Sequence, residues 1–149
     1  MAGDNIVFIG FMCSGKTTAG KALAKEKGWP FLDTDELIEV EAGMTISEIF
    51  ETHGEEYFRD LESRICETLR SYSQTIIATG GGIVLRESNR EILKQLGEIR
   101  YLQVTTDQVL ERLKNEPEQR PLLKRDNLEE YISSSLNKRQ KYYKLVHRR

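Results

Sequence analysis

Residues 5–17 read Asn5-Ile-Val-Phe-Ile-Gly10-Phe-Met-Cys-Ser-Gly15-Lys16-Thr17, and the order of residue types along them decides the fold. Asn5 to Gly10 is a short, apolar, β-rich run ending in glycine, as expected of a central strand buried on both faces. A helical pattern follows from Lys16 to Lys27, with Ala19, Ala22 and Leu23 on one side and Gly28 as its stop. The connection Gly10 to Thr17 fits G-x-x-x-x-G-K-[ST] and lies between strand and helix, as the mechanism of that motif requires. Its glycines permit backbone N–H groups to converge on phosphate oxygens, with the positive end of the helix behind them. Lys16 then reaches the β- and γ-phosphates of a nucleotide. Thr17 offers a hydroxyl to Mg²⁺, an ion that takes oxygen ligands and keeps much of its water. The motif identifies a nucleotide user and leaves the acceptor open.

Outward from this unit, Pro30 to Asp33 reads as a short second strand and Asp35 to Glu41 as a helical turn or two ending at Gly43. Thr45-Ile-Ser-Glu48 has capping-box spacing and opens a short helix, after which Phe58, Leu61, Ile65 and Leu69 mark the buried stripe of a longer one. Gln74 to Thr79 is predicted as a third strand, Glu87 to Leu96 as a helix closed by Gly97, Glu98 to Val104 as a fourth strand and Thr106 to Lys114 as a helix. Asn115 to Asp126 is polar with two prolines, too irregular for either element, and Leu128 to Tyr143 reads as the last helix. Strands alternating with helices imply an α/β fold: a parallel sheet covered by helices on both faces, with ligands at the carboxyl ends of the strands. At 149 residues the chain is read as one domain, 1–149.

Lys and Arg total 22 against 24 Asp and Glu, so the formal charge is -2 and no global cationic field is available to hold nucleic acid. The start has no basic region followed by an apolar run, and no uncharged stretch is long enough for a membrane span, so neither a leader nor a membrane partner is expected. Two cysteines, Cys13 and Cys66, are too few for a disulfide framework and fit a reducing, cytosolic setting. Between Phe31 and Glu62 there are eleven acidic residues and one cation, Arg59, whereas Arg112 to Arg149 holds eleven cations against five acids. Most of these charges are expected on solvated helix faces; Arg59 stands out.

The other strand ends carry the remaining signals. Asp33 and Asp35, two apart at a strand exit, point the same way if the chain stays extended, so that one holds a metal through water while the other meets a substrate hydroxyl. An Asx turn with a helix cap explains the same pair. Thr79-Gly80-Gly81-Gly82 implies backbone that approaches something closely or takes positive φ. Arg59 and Glu62 are expected on the exposed face of their helix, opposite the apolar stripe, either as a surface ion pair or as a guanidinium held ready for a ligand carboxylate. Arg120-Pro121-Leu122-Leu123 lies in the polar stretch, where Arg120 can be brought over a transferring phosphate, and Arg139 is the third arginine of interest.

Gly10 to Thr17, Asp33-x-Asp35, Phe58-Arg59-x-x-Glu62, Gly80-Gly81-Gly82, Arg120-Pro121-Leu122-Leu123 and Arg139 followed by Tyr143, in this order, resemble shikimate kinase over Ile6 to about Val146. The resemblance implies a small, monomeric, cytosolic kinase of the nucleoside monophosphate kinase type, with a five-stranded parallel sheet, a helical substrate-binding insert (34–62) and a mobile lid (115–126). ATP and shikimate would be its substrates and Mg²⁺ its metal. The loop Met12-Cys13-Ser14-Gly15-Lys16-Thr17-Thr18 would bind the ATP phosphates, with Lys16 catalytic, and Thr17 and Asp33 would hold the Mg²⁺. Asp35 would hold the hydroxyl that is phosphorylated. Arg59, Arg139 and the backbone of Gly80, Gly81 and Gly82 would bind the rest of shikimate, and Arg120 would be the lid arginine acting on ATP and in catalysis.

Two departures accompany the resemblance. Cys13 stands where relatives often have glycine, which the loop tolerates if φ there is negative. The family usually continues past this chain's last helix into a fifth strand, an adenine-contacting loop and a final helix, and loss of that segment is expected to expose a sheet edge and weaken adenine binding. Gluconate kinases and nucleoside monophosphate kinases are the nearest rivals, against which the Asp-x-Asp and the triple glycine argue. A nucleotide-binding module without turnover is the rival of a different class.

Overall fold

The computed structural model describes residues 3–114 and 127–147. Four strands, β1 (Asn5–Ile9), β2 (Phe31–Asp33), β3 (Ile76–Ala78) and β4 (Gly97–Tyr101), form one parallel sheet in the order β2-β3-β1-β4. The five strands implied by the resemblance are therefore four among the described residues, with β4 at one edge. Among the described residues seven α-helices surround them: α1 (Lys16–Lys27), α2 (Thr34–Ala42), α3 (Ile46–His53), α4 (Glu55–Thr68), α5 (Glu87–Leu96), α6 (Thr106–Leu113) and α7 (Leu128–His147).

Most elements fall where the residue pattern puts them, and the differences are local. Helix α2 is a full nine-residue helix, because Asp33 caps it and Gly43 ends it in the left-handed conformation. The predicted strands at 74–79 and 98–104 shorten to β3 and β4, and Gly97 opens β4 instead of only closing α5. The last helix runs on to His147, since Tyr143 and Val146 continue its buried stripe. On α1 Ala19 and Leu23 pack, partly buried, against the cluster beneath the helix as expected, Gly20 and Ala24 are the fully buried apolar positions, and Ala22 lines the cleft described below.

Residues of β1 alternate between two cores. Val7 and Ile9 join the main cluster with Ile77, Leu93, Ile132 and Tyr143, whereas Ile6 and Phe8 pack with Ala24 and Ile76 beneath α1. A strand buried on both faces has no polar alternation, which is why its sequence reads as a continuous apolar run. The one polar residue in it, Asn5, is fully used: its amide donates to Tyr72 O and Leu96 O at 3.0 Å each, and its Oδ1 accepts from Thr75 N at 3.1 Å.

Helices α2 to α4 form a third, separate cluster of Ile38, Ile49, Phe58, Leu61 and Ile65. The capping box is present, with Thr45 accepting from Glu48 N and Glu48 accepting from Thr45 N. Backbone bonding to that carboxylate lowers the Glu48 pKa. In the sheet, Asp33 is paired with Ala78 and Ala78 with Phe8. The carboxyl ends of β2, β3 and β1 are thus level and adjacent, and the three segments that follow them meet at one place.

Candidate active site

The loop after β1 folds tightly onto its own lysine. The Lys16 ammonium donates to Gly10 O at 2.6 Å and Phe11 O at 2.9 Å and is almost fully buried. Gly15, at φ 92°, passes the chain into α1, whose first main-chain bond runs from Ala19 N to Gly15 O. Cys13 stands at φ 62°, not at the negative φ expected if a cysteine is to be tolerated there. The loop has kept a left-handed position that favours glycine and placed a side chain on it.

Residues 12–18 line an open cleft of about 770 Å³ together with Asp33, Asp35, Thr79, Gly80 and Gly81. Leu102 and Arg112 complete one wall. The Arg112 guanidinium donates to the carbonyl oxygen of Cys13, so α6 is tied to the phosphate loop. The residue pattern gave no sign of Arg112: it looks like one more cation of the basic C-terminal half, and only the turn that follows β4 brings it to the cleft.

The two aspartates reach the cleft differently from the expected extended geometry. The chain turns into α2 at Thr34, and Asp33 is the cap, its Oδ1 accepting from Asp35 N at 2.9 Å. Its other oxygen, Oδ2, accepts from Thr17 Oγ1 at 3.2 Å. The cap therefore uses one oxygen and leaves the other against the hydroxyl of the phosphate loop. A hydroxyl and a carboxylate oxygen side by side are hard donors of the kind Mg²⁺ takes when phosphate and water supply the rest of its shell. No cluster of three or more His, Cys, Asp or Glu occurs among the described residues, so such an ion would rest on few protein ligands.

Between the aspartates, Thr34 is fully buried and its hydroxyl accepts from Gly80 N at 2.9 Å, fastening α2 to the glycine loop. None of Gly80, Gly81 and Gly82 has positive φ, so of the two expectations only close approach holds. A Cβ on Gly80 would lie 2.6 Å from Asp35 Oδ1, one on Gly81 3.3 Å from Met12 N, and one on Gly82 would overlap the Arg59 guanidinium. Three different groups press against the same backbone, most closely at Gly80 and Gly82 and less so at Gly81.

Arg59 and Glu62 are not on an exposed face. Arg59 is 8% exposed and Glu62 0%, and Arg59 Nη1 donates to Glu62 Oε1 at 2.9 Å. The reason is that α4 is buried on two sides, its apolar stripe on the insert cluster and its polar edge against the glycine loop. Glu55 adds a looser contact to Arg59 Nε at 3.5 Å. Burial pushes the Glu62 carboxyl up to about 7 against the pull of Arg59, with Asp35 raising it and Arg139 lowering it. Arg139, 8% exposed, lies over the Phe11 ring at 5.5 Å and beside Gly81. One turn on, Tyr143 donates to Gly81 O at 2.5 Å, and burial raises its hydroxyl pKa well beyond the phenol range.

Lys16, Thr17, Asp33, Asp35, Gly80 and Gly81 thus share one cleft, and Arg59 and Arg139 stand against its glycine wall from α4 and α7. Arg120 lies outside the described residues. A phosphate loop continuous with a carboxylate and two buried guanidiniums defines a phosphate-loop kinase acting on a small anionic acceptor.

The comparisons narrow that class. The family model for shikimate kinase matches residues 12–149. The shikimate kinase of Thermodesulfovibrio yellowstonii is 47% identical over 139 residues, covering 93% of this chain and 80% of the relative; that of Geobacter sulfurreducens is 42% identical, covering 95% and 77%. The structure of Acinetobacter baumannii shikimate kinase in complex with shikimate superposes with a TM-score of 0.92 at 39% identity, over 98% of this chain and 81% of that one. The chain belongs to the shikimate kinase family. A Sinorhizobium meliloti gluconokinase, at 17% identity and TM-score 0.56, shares the fold alone.

Proposed function

We propose that the chain transfers the γ-phosphoryl group of ATP to a hydroxyl of shikimate, giving shikimate 3-phosphate and ADP, as a step in aromatic amino acid biosynthesis. The observation that carries this reading is the convergence of Asp35, Arg59 and Arg139 on the Gly80–Gly82 backbone at the wall of the phosphate-loop cleft. A carboxylate beside two guanidiniums suits an acceptor with a hydroxyl at one end and a carboxylate at the other.

Phosphoryl transfer has a loose transition state, so the protein's task is positioning and charge stabilisation. Lys16 and the N–H groups of residues 12–18 are assigned to the phosphates. Thr17 and Asp33 are assigned to Mg²⁺, which when bound neutralises phosphate charge. Asp35 is assigned to the acceptor hydroxyl: it holds that oxygen in line, and as the O–P bond forms it is the carboxylate nearest the departing proton. Arg59 and Arg139 hold the shikimate carboxylate, with 34–62 as the substrate-binding insert. Arg120, in the lid assigned to 115–126, takes its role from the family resemblance alone.

Among the described residues no helix is long and apolar enough to cross a membrane, and neither cysteine forms a disulfide. We take the enzyme to be cytosolic and to act as a monomer, as the family resemblance implies. The test of function is a coupled ADP-release assay with Mg-ATP, with and without shikimate. Shikimate-dependent release is expected; nucleotide binding without it would turn the reading toward a binding module.

A further inference from the structure

The two oxygens of the Glu62 carboxylate have different surroundings. Oε1 accepts from Arg59, whereas Oε2 is buried and has no hydrogen-bond partner. Oε2 and Asp35 Oδ1 converge on one point beside Gly80, the position of a Cβ there, to 3.1 and 2.6 Å. The charged and titratable groups that face Glu62 are Arg59 and the Cys66 thiol from its own helix, Asp35 from α2 and Arg139 from α7, and the glycine loop brings none. Two cations therefore face two anions where the buried Arg59–Glu62 pair meets the cleft wall at Asp35. A substrate carboxylate arriving at Arg59 and Arg139 is a third anion, and it competes with Glu62 for a guanidinium that is already engaged. Three carboxylates cannot all stay ionised cheaply beside two arginines in a buried site.

We propose that Glu62 is a positioning residue that takes up a proton when the substrate's carboxylate binds, so that Arg59 is released from Glu62 to the substrate. The proposal rests on the assignment of Arg59 and Arg139 to that carboxylate. One proton moves from the buffer to Glu62 Oε2, where Asp35 is the neighbouring acceptor, and no other bond is made or broken. Burial already holds this carboxyl near neutrality, so a modest further rise on binding gives net uptake just above pH 7. The sign follows: shikimate affinity rises as pH falls through the window between the bound and free values, and levels off below it.

The test is isothermal titration of shikimate into the full chain without nucleotide at pH 7.5, in Pipes and in Tris, whose ionisation heats differ. The expected result is a buffer-dependent heat equivalent to uptake of about 0.3 to 0.8 proton per shikimate bound. Methyl shikimate, which brings no third anion, is expected to bind with uptake near zero. Glu62→Gln keeps an oxygen for Arg59 and cannot titrate, so shikimate should bind it without uptake. Equal heats in the two buffers, an ester that takes up as many protons as the acid, or undiminished uptake in Glu62→Gln would each overturn the proposal. Should Glu62→Gln fail to fold, the contrast between acid and ester in the natural chain decides alone. No saturable heat with shikimate in either buffer would overturn the carboxylate site itself, and the proposal with it.

Discussion

The guanidinium of Arg59 occupies the space into which a side chain on Gly82 would grow. Arg59 is fixed by Glu62 from behind and can retreat little, so Gly82→Ala must displace one of the two. The expected outcome is a rise in KM for shikimate of about tenfold or more, the size of one lost charge-assisted bond, with KM for ATP nearly unchanged. Steady-state kinetics with each substrate varied in turn checks this, and a matching rise for ATP would mean that the whole loop has shifted.

Asp35→Asn retains the shape of the side chain and leaves the start of α2 intact, because Asp33 accepts from the main-chain N–H of residue 35. What is lost is the charge assigned to the acceptor hydroxyl, which also faces Glu62. Turnover is expected to fall at least about a hundredfold. Near-normal kcat would confine Asp35 to the first turn of its helix.

Methyl esterification of shikimate leaves the reacting hydroxyl untouched and removes the charge assigned to Arg59 and Arg139. The specificity constant should drop by about two or more orders of magnitude, since the charge-assisted bonds assigned to the two guanidiniums are no longer made to the substrate. Arg59→Ala and Arg139→Ala should each cost activity on shikimate and cost little more on the ester. Losses that multiply independently would place the carboxylate elsewhere.

Cys13 combines a left-handed backbone with a position on the cleft wall. Cys13→Gly removes a conformational cost of about 1 to 2 kcal/mol and restores about 0.5 to 1 kcal/mol of unfolded-chain entropy, leaving a net stabilisation of about 0 to 1.5 kcal/mol. Urea unfolding measures it. In the folded natural chain an alkylating agent should label Cys13 and spare Cys66, whose thiol is buried and pushed up to about 12. Saturating Mg-ATP should slow that labelling, and equal rates with and without nucleotide would remove Cys13 from the phosphate site.

The legible parts of this molecule are those where one residue's chemistry forces one local geometry. The strand, loop and helix from Asn5 to Lys27 were readable because Gly10, Gly15 and Lys16 serve a backbone purpose that few other sequences meet. The triple glycine announced crowding, though not what crowds it, since Asp35, Met12 and Arg59 come from three remote segments. Misreadings arose where burial is set by tertiary neighbours. Arg59 and Glu62 lie opposite an apolar stripe and so look exposed, until the glycine loop covers that second face. Arg112 was invisible for the same reason. The φ of Cys13 is a property of a loop path that residue types alone do not determine.

The separate core of α2 to α4 bears on how such a kinase can change its choice of acceptor. Ile38, Ile49, Phe58, Leu61 and Ile65 satisfy one another without drawing on the strands, while the phosphate loop is anchored in the sheet. Substitutions inside that small cluster are expected to tilt α4, and with it Arg59, at less cost to the strands that carry the phosphate loop than substitutions at Cys66, which packs among them. On the proposed assignment of Arg59, acceptor preference is then expected to drift at modest cost to nucleotide chemistry. The two compartments are joined where the Thr34 hydroxyl accepts from Gly80 N, where Cys66 of α4 packs in the main core and where Leu37 touches both cores, so the acceptor end can swing about these points but not detach.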